Sequence, residues 1–203
     1  MNSKTSWALT GFLGLALSLG SVADAAGQMM YGASWGLSQS LSDTKTFADD
    51  LSFRNFSGEL RRMAGTDASI GLSIAWNVFH EQRRETTQIP GLPVSASGLQ
   101  FRTVNTIPVL VTAHRYLGDR GQARAYVGVG AGIAYTQARV DLGILGVDDS
   151  SWDFAAVPEL GFLMPTAGTS EMYVNIKYQW TSGDLGAQAI HLNIGLMTWP
   201  FSF

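Results

Sequence analysis

Apolar and polar side chains alternate at every second position along most of this chain. The clearest stretch is 68–80, where Ile70, Leu72, Ile74, Trp76 and Val78 alternate with Ser69, Gly71, Ser73, Ala75 and Asn77. A period of two marks a strand with one apolar and one polar face. Eight such stretches can be read, at about 29–41, 51–64, 68–80, 99–115, 123–140, 152–164, 171–181 and 187–203. In the fifth, Val127, Val129, Ala131, Ile133 and Tyr135 face away from Gly128, Gly130 and Gly132. In the seventh, Met172, Val174, Ile176, Tyr178 and Trp180 oppose Tyr173, Asn175, Lys177 and Gln179.

Strands that cross a bilayer at a tilt need roughly 9–11 residues, which these stretches supply. The connections alternate in character. Gly65-Thr66-Asp67, Gly118-Asp119-Arg120-Gly121 and Thr166-Ala167-Gly168-Thr169 read as short turns. The stretches near 41–50, 81–98, 141–151 and 182–187 are mostly longer and more polar, and read as loops. The expected fold is therefore all-β, an eight-stranded antiparallel up-and-down transmembrane β-barrel, with both termini on the short-turn, periplasmic side. The sign of the alternation sets its orientation. One face carries large apolar and aromatic residues; the other carries Gly, Ser, Asn, Gln and several charges. Turning Glu159 or Lys177 toward lipid is costly, so the apolar face is expected outward. A soluble ligand-binding barrel would need the opposite arrangement, with the Ile74 and Trp76 face inside.

The two ends of the chain add location. Lys4, an apolar run from Trp7 to Leu19, and the small residues up to Ala26 describe a secretory signal peptide. The run is shorter than the roughly 20 residues of a membrane-spanning helix. Residues 1–26 are expected to be cleaved, leaving 27–203 as one barrel domain. At the other end the strand 187–203 finishes on Trp199, Phe201 and Phe203. These aromatics are out of phase with Ile190–Leu196. Either a bulge near Met197–Thr198 restores the phase or the last residues leave the barrel.

Composition changes little. The net charge of −3 and the lack of any basic stripe point away from nucleic acid. With no cysteine there is no disulfide framework. A glycine count of 23 and 11% aromatics suit a β-rich chain. Pro108 and Pro158 interrupt the fourth and sixth stretches, where proline removes a ladder donor. Both flank the glycine-rich fifth stretch, so bulges facing that strand are expected.

One run is more specific: Ile107-Pro108-Val109-Leu110-Val111, then Ala113-His114-Arg115-Tyr116-Leu117, then Ala125-Tyr126-Val127-Gly128-Val129-Gly130-Ala131-Gly132. With the terminal aromatic strand, it resembles the small outer-membrane β-barrel families of the OmpA transmembrane domain, OmpX and the opacity-type proteins. The resemblance covers essentially all of 27–203 and implies a monomeric barrel in a Gram-negative outer membrane. It further implies outer-membrane lipid and lipopolysaccharide as surroundings. The barrel-assembly machinery would read Trp199, Phe201 and Phe203. No cofactor is implied.

Candidate chemistry is sparse. A lipid hydrolase needs a serine beside a histidine oriented by an acid. The histidines are His80, His114 and His191, and none has a serine two residues away on its own strand. No catalytic residue is assigned. His80 is expected at the outer rim, His191 inside, and His114 inside, facing Arg124 across the short turn. Asp141, Asp148, Asp149 and Asp153 lack a calcium-loop spacing and read as a solvated loop, so no metal site is assigned. Arg83 and Arg84 lie beside Glu81 and Glu85, the mixed charge of a solvated loop. Gly128–Gly132 alternate along a strand, lack the strand–turn–helix setting of a phosphate loop, and make room in a narrow lumen.

The interior yields the sharpest expectation. Folding strands six and seven about the turn at 165–170 sets Glu159 opposite the region of Asn175 and Lys177. Glu59 and Arg61 also point inward. Glu59, Arg61, Glu159 and Lys177 are therefore expected to form an enclosed ionic network, since an unpaired enclosed charge is costly. Such a network would plug the barrel. The function expected is structural or surface-interacting, without catalysis; a narrow, porin-like pore for small solutes is the alternative, and a lipid-modifying enzyme a more distant one.

Overall fold

The alternation seen in the sequence becomes the two faces of one continuous wall. The computed structural model describes residues 29–88, 95–142, 145–166, 168–183 and 187–199. Its strands are β1 (Met29–Leu41), β2 (Ser52–Met63), β3 (Ala68–Gln88), β4 (Ser95–Leu117), β5 (Arg124–Leu142), β6 (Leu145–Pro165), β7 (Ser170–Thr181) and β8 (Gln188–Thr198). Each pairs antiparallel with the next, and β8 returns to β1, so the barrel is closed. Ile74, Trp76, Val129, Ile176 and Leu192 stand exposed on the outside, while Ser73, Asn77, Asn175 and Asn193 are buried inside. Among the described residues no helix is long and apolar enough to cross a membrane. The expected signal segment 1–26, Phe201 and Phe203 lie outside the described residues.

The two ends of the barrel differ, and one of them departs from expectation. Gly65 (φ 84°) and Gly168 (φ 81°) close short turns in left-handed backbone that costs glycine nothing. At the opposite end, 81–88, 95–98, 141–142 and 145–151 are strand, not loop. β3 and β4 stay paired as far as Gln88↔Ser95, and β5 and β6 as far as Leu142↔Leu145. The β2–β3 ladder stops at Asn55↔Asn77 and the β6–β7 ladder at Ala155↔Thr181. A four-stranded sheet from β3 to β6 therefore rises beyond the closed barrel, and its outer strands β3 and β6 have no further ladder partner among the described residues. Its sequence is polar on both faces, so the period-two signal fades there although backbone pairing continues.

Two further expectations are corrected. Pro108 stays in register opposite Ala134, and Pro158 opposite Val129, so there is no bulge against β5. The ladders lapse on the far sides instead. β3–β4 skips from Ile74↔Val109 to Asn77↔Thr106, and β6–β7 from Ala156↔Trp180 to Glu159↔Lys177, both without a register change. The donor that proline lacks is thus missing on the side away from β5. At the chain's end β8 keeps one register with β1 through Met197 and Thr198, with no bulge. Trp199 follows in the inward phase and packs under the lumen.

Candidate functional site

The lumen is where chemistry-bearing side chains meet. Lys177 lies on β7 directly opposite Glu159 on β6. Its Nζ donates to Glu59 Oε1 at 2.5 Å and sits 3.2 Å from Glu159 Oε2. Arg61 Nε donates to Glu59 Oε2 at 2.9 Å, and its Nη2 to Glu159 Oε1 at 3.3 Å. Arg61 is wholly buried and both glutamates nearly so. Alternate carboxylates and cations span the lumen from β2 to β7, and each charge touches two of the opposite sign. That satisfies the condition under which enclosed charge is tolerated.

His114 joins this cluster rather than facing Arg124. Register places it opposite Gly128, four residues beyond Arg124 on β5. Its Nε2 lies 2.5 Å from Glu159 Oε1, although two strand spacings separate β4 from β6. Gly128 is the residue between them. A Cβ there would strike His114 Cδ2 and come within 2.9 Å of Glu159 Cγ. The glycine is a saddle over which two flanking side chains join.

The same device recurs. Tyr126 and Asn175 flank Gly161, and Asn175 Nδ2 donates to Tyr126 Oη at 3.0 Å across it. Asn55 and Asn193 flank Gly36, and Asn55 Nδ2 donates to Asn193 Oδ1 at 2.6 Å across it. Asn193 Nδ2 in turn donates to Asn175 Oδ1 at 2.8 Å. An amide chain thus runs Asn55 to Asn193 to Asn175 to Tyr126. Sequence reasoning missed these links. The signal that would have found them is an inward glycine with inward polar residues opposite it on both neighbouring strands.

Serine–histidine contacts exist after all, made across strands instead of along them. Ser69 Oγ lies 3.3 Å from His114 Nδ1, which places Ser69, His114 and Glu159 in series. Ser38 Oγ lies 2.7 Å from His191 Nδ1. All of these groups are buried, and Ser69 Oγ also contacts Tyr116 Oη at 2.8 Å. The serine is held among buried side chains of the lumen, between His114 and Tyr116.

Both ends of the lumen are closed by apolar layers that the polar-interior expectation did not include. Toward the short turns, Met30, Met63, Tyr116, Tyr126, Leu163, Tyr173 and Met197 form a buried floor, with Trp199 against it. Arg124 is buried here, 3.5 Å from Glu171 and with Cζ 4.4 Å from the Tyr116 ring centre. Arg120, at the turn, lies over the Trp199 ring at 3.9 Å. Partial burial, with the nearby Arg124 charge, holds the Arg120 guanidinium below its ordinary range. Toward the hairpins, the β1–β2 connection carries a short helix, α1 (Ser42–Phe47). Phe47 and Ala48 turn in against Phe79, Val104 and Ala189 and stopper that end.

The remaining candidates stand apart. His80 is exposed, with Nδ1 3.0 Å from Thr103 Oγ1. Asp141 is bound by Arg139 at 2.9 Å, Asp149 accepts from the Ser150 N–H, and Asp153 accepts from Ser151. Among the described residues no group of three or more His, Asp or Glu is placed to hold a metal. The side chains of Arg83, Arg84 and Glu85 lie outside the described residues.

No protein-family model matches the chain, and no curated protein is similar to it in sequence. Solved structures are similar in shape. Neisserial surface protein A aligns over 86% of this chain and 97% of its own, with 11% identity and a TM-score of 0.54. The N-terminal β-barrel domain of Pseudomonas aeruginosa OprF aligns over 84% and 98%, with 14% identity and a TM-score of 0.46. Ail, the attachment invasion locus protein of Yersinia pestis, aligns over 84% and 98%, with 13% identity and a TM-score of 0.48. The closed antiparallel barrel and the first of these likenesses agree: the chain has the fold of the small eight-stranded outer-membrane β-barrels.

Proposed function

We propose that this protein is an integral barrel of a Gram-negative outer membrane, structural or surface-interacting in role, and neither a pore nor an enzyme. The short-turn end and both ends of the barrel chain face the periplasm, and the β3–β6 sheet stands outside the cell. Outer-membrane lipid and lipopolysaccharide surround the apolar wall, and the assembly machinery reads the last strand. The barrel works as a monomer, without a cofactor and without nucleic acid.

The observation that carries this reading is the closure of the lumen. The Met–Tyr floor, the Glu59–Arg61–Glu159–Lys177 cluster and the Phe47–Ala48 stopper follow one another along the axis. An eight-stranded barrel has an interior about wide enough for side chains alone, and here three layers of them lie across it. What remains available for work is the projecting sheet, in which β3 beyond Asn77 and β6 before Ala155 have no ladder partner on their outer sides among the described residues. The reading without catalysis draws support from the burial of Ser69, Ser38, His114 and His191 inside the lumen.

Single-channel recording of the refolded protein in a planar bilayer tests the reading. The expected result is no steady conductance. Sustained conductance in wild type would replace the plugged barrel with the narrow pore.

A further inference from the structure

Above the ionic cluster the filling of the lumen is incomplete. A cavity is lined by Asn77, Pro108, Val157, Lys177, Gln179 and His191, among others, and offers about 30 Å³ to the centre of a water-sized sphere. A water needs roughly 10–15 Å³ on that measure, so about two fit. The cavity sits between the two proline gaps: Ala75 and Pro108 border it from β3 and β4, Val157 and Gln179 from β6 and β7.

Its polar lining is left over. Asn77 Oδ1, Gln179 Nε2 and His191 Nε2 have no hydrogen-bond partner among the described residues, and each residue is at least nine-tenths buried. Their other polar atoms are engaged. Asn77 Nδ2 donates to Gln179 Oε1 at 3.0 Å. Asn55 Nδ2, which heads the amide chain, also lies 3.3 Å from His191 Nδ1. Ser38 Oγ, 2.7 Å from the same nitrogen, can donate or accept, whereas an amide N–H₂ only donates, so both contacts are met together when His191 Nδ1 accepts and the ring proton sits on Nε2. The leftover set is then two N–H donors, on Gln179 and His191, and one carbonyl acceptor, on Asn77. A buried donor or acceptor without a partner costs about 1–3 kcal/mol.

We propose that this chamber is a binding site for about two resident waters, shared by Asn77, Gln179 and His191, with His191 held as its neutral Nε2–H tautomer. Water both accepts and donates, as the mixed set requires. A halide is the competing occupant, because two donors and Lys177 line the space. Glu159 also lines it, however, and the Glu59–Arg61–Glu159–Lys177 cluster sums to zero charge, so nothing there compensates a buried anion. A dry cavity is the third possibility, and dry cavities are apolar.

Nuclear magnetic resonance of the refolded, ¹⁵N-His- and ¹⁵N-Gln-labelled full chain tests this. Long-lived water cross-peaks are expected at the Gln179 side-chain amide and at the His191 ring N–H, with ring shifts of the Nε2–H form. They should persist when chloride is replaced by sulfate. Xenon under pressure should leave these residues unshifted. Asn77→Leu, which fills the chamber and removes its acceptor, should abolish the cross-peak at His191 while leaving the backbone fingerprint in place. Loss of the cross-peaks in sulfate would make the occupant an anion. Xenon shifts in wild type would make the chamber dry. A proton on His191 Nδ1 would reverse the donor assignment. Any of these three overturns the proposal, and the wild-type arms stand even where Asn77→Leu does not fold. All are independent of the conductance that tests the plugged barrel.

Discussion

Ile176 and Lys177 are neighbours on β7 and meet opposite demands. Ile176 stands outward, more than half exposed, opposite Leu160 and Leu192 on the adjacent strands. Lys177 turns inward and touches Glu159 on β6 and Glu59 across the lumen on β2. The outer face is a set of nearly independent transfers into hydrocarbon. The inner face is a connected network in which each group is another group's partner. The outer face should therefore respond locally and additively to substitution, the inner face collectively.

The largest effect is expected where the network loses a member that cannot be replaced. Lys177→Met leaves Glu59 and Glu159 sharing Arg61. Breaking a buried ionic arrangement from one side costs about 3–5 kcal/mol. Urea unfolding in lipid vesicles should register that loss, and Lys177→Met combined with Glu159→Gln should lose less than the sum of the two. Additive losses would dissolve the distinction between the faces.

Next in size is a change on the outer wall. Ile176→Arg places a charge at mid-membrane depth, at about 2–4 kcal/mol. Its effect should add to that of Lys177→Met, although the two residues are adjacent in sequence. Strong coupling between them, in the same unfolding assay, would mean that the wall transmits what the comparison says it isolates.

A saddle glycine tests the inner face without removing any polar group. Gly128→Ala drives a methyl into His114 and Glu159. Overpacking of this kind costs about 1–3 kcal/mol. The His114 ring resonances should move, whereas Gly58→Ala should leave them unchanged, since Ile74 Cγ2 at 3.8 Å is the contact a Cβ there would meet. Unmoved His114 signals in the Gly128 variant would remove the saddle.

How much of this was legible beforehand follows from the same contrast. The outward faces, the eight strands and the short turns could be read because lipid contact is decided residue by residue, and alternation records it. Glu159 and Lys177 could be set opposite each other because one short turn fixes their register. His114 was misassigned to Arg124 because the partner it reaches lies two strands away, and sequence alternation says nothing about which inward glycine is bridged. The floor of Met30, Met63, Tyr173 and Met197 was hidden for a different reason: these residues break the polar-inward rule, and only closure of the barrel shows that they fill its end. The projecting sheet was read as loops because water on both faces erases the hydrophobic period while leaving the backbone ladder intact.

The smallest expected effect completes the comparison on that projecting sheet. Asp148 lies opposite Arg139 on the β5–β6 hairpin and is exposed, while Arg139 directs its Nε to Asp141 at 2.9 Å. Asp148→Asn removes a carboxylate that water already solvates, so stability should change by no more than about 0.5 kcal/mol. Glu159→Gln makes the same chemical change, carboxylate to amide at nearly constant shape. There, however, Arg61, Lys177 and His114 all direct a nitrogen at the lost charge from within the enclosed lumen. Hydrogen bonds to charged groups are worth about 1.5–3 kcal/mol, so Glu159→Gln should exceed Asp148→Asn by at least that of one such bond. The pair is best measured together, in one vesicle preparation at one salt concentration, because screening weakens the exposed site more than the enclosed one. Equal losses at the two positions would mean that Glu159 is effectively solvated, and the lumen on which the proposed function rests would then have to open to bulk solvent at the level of its ionic cluster.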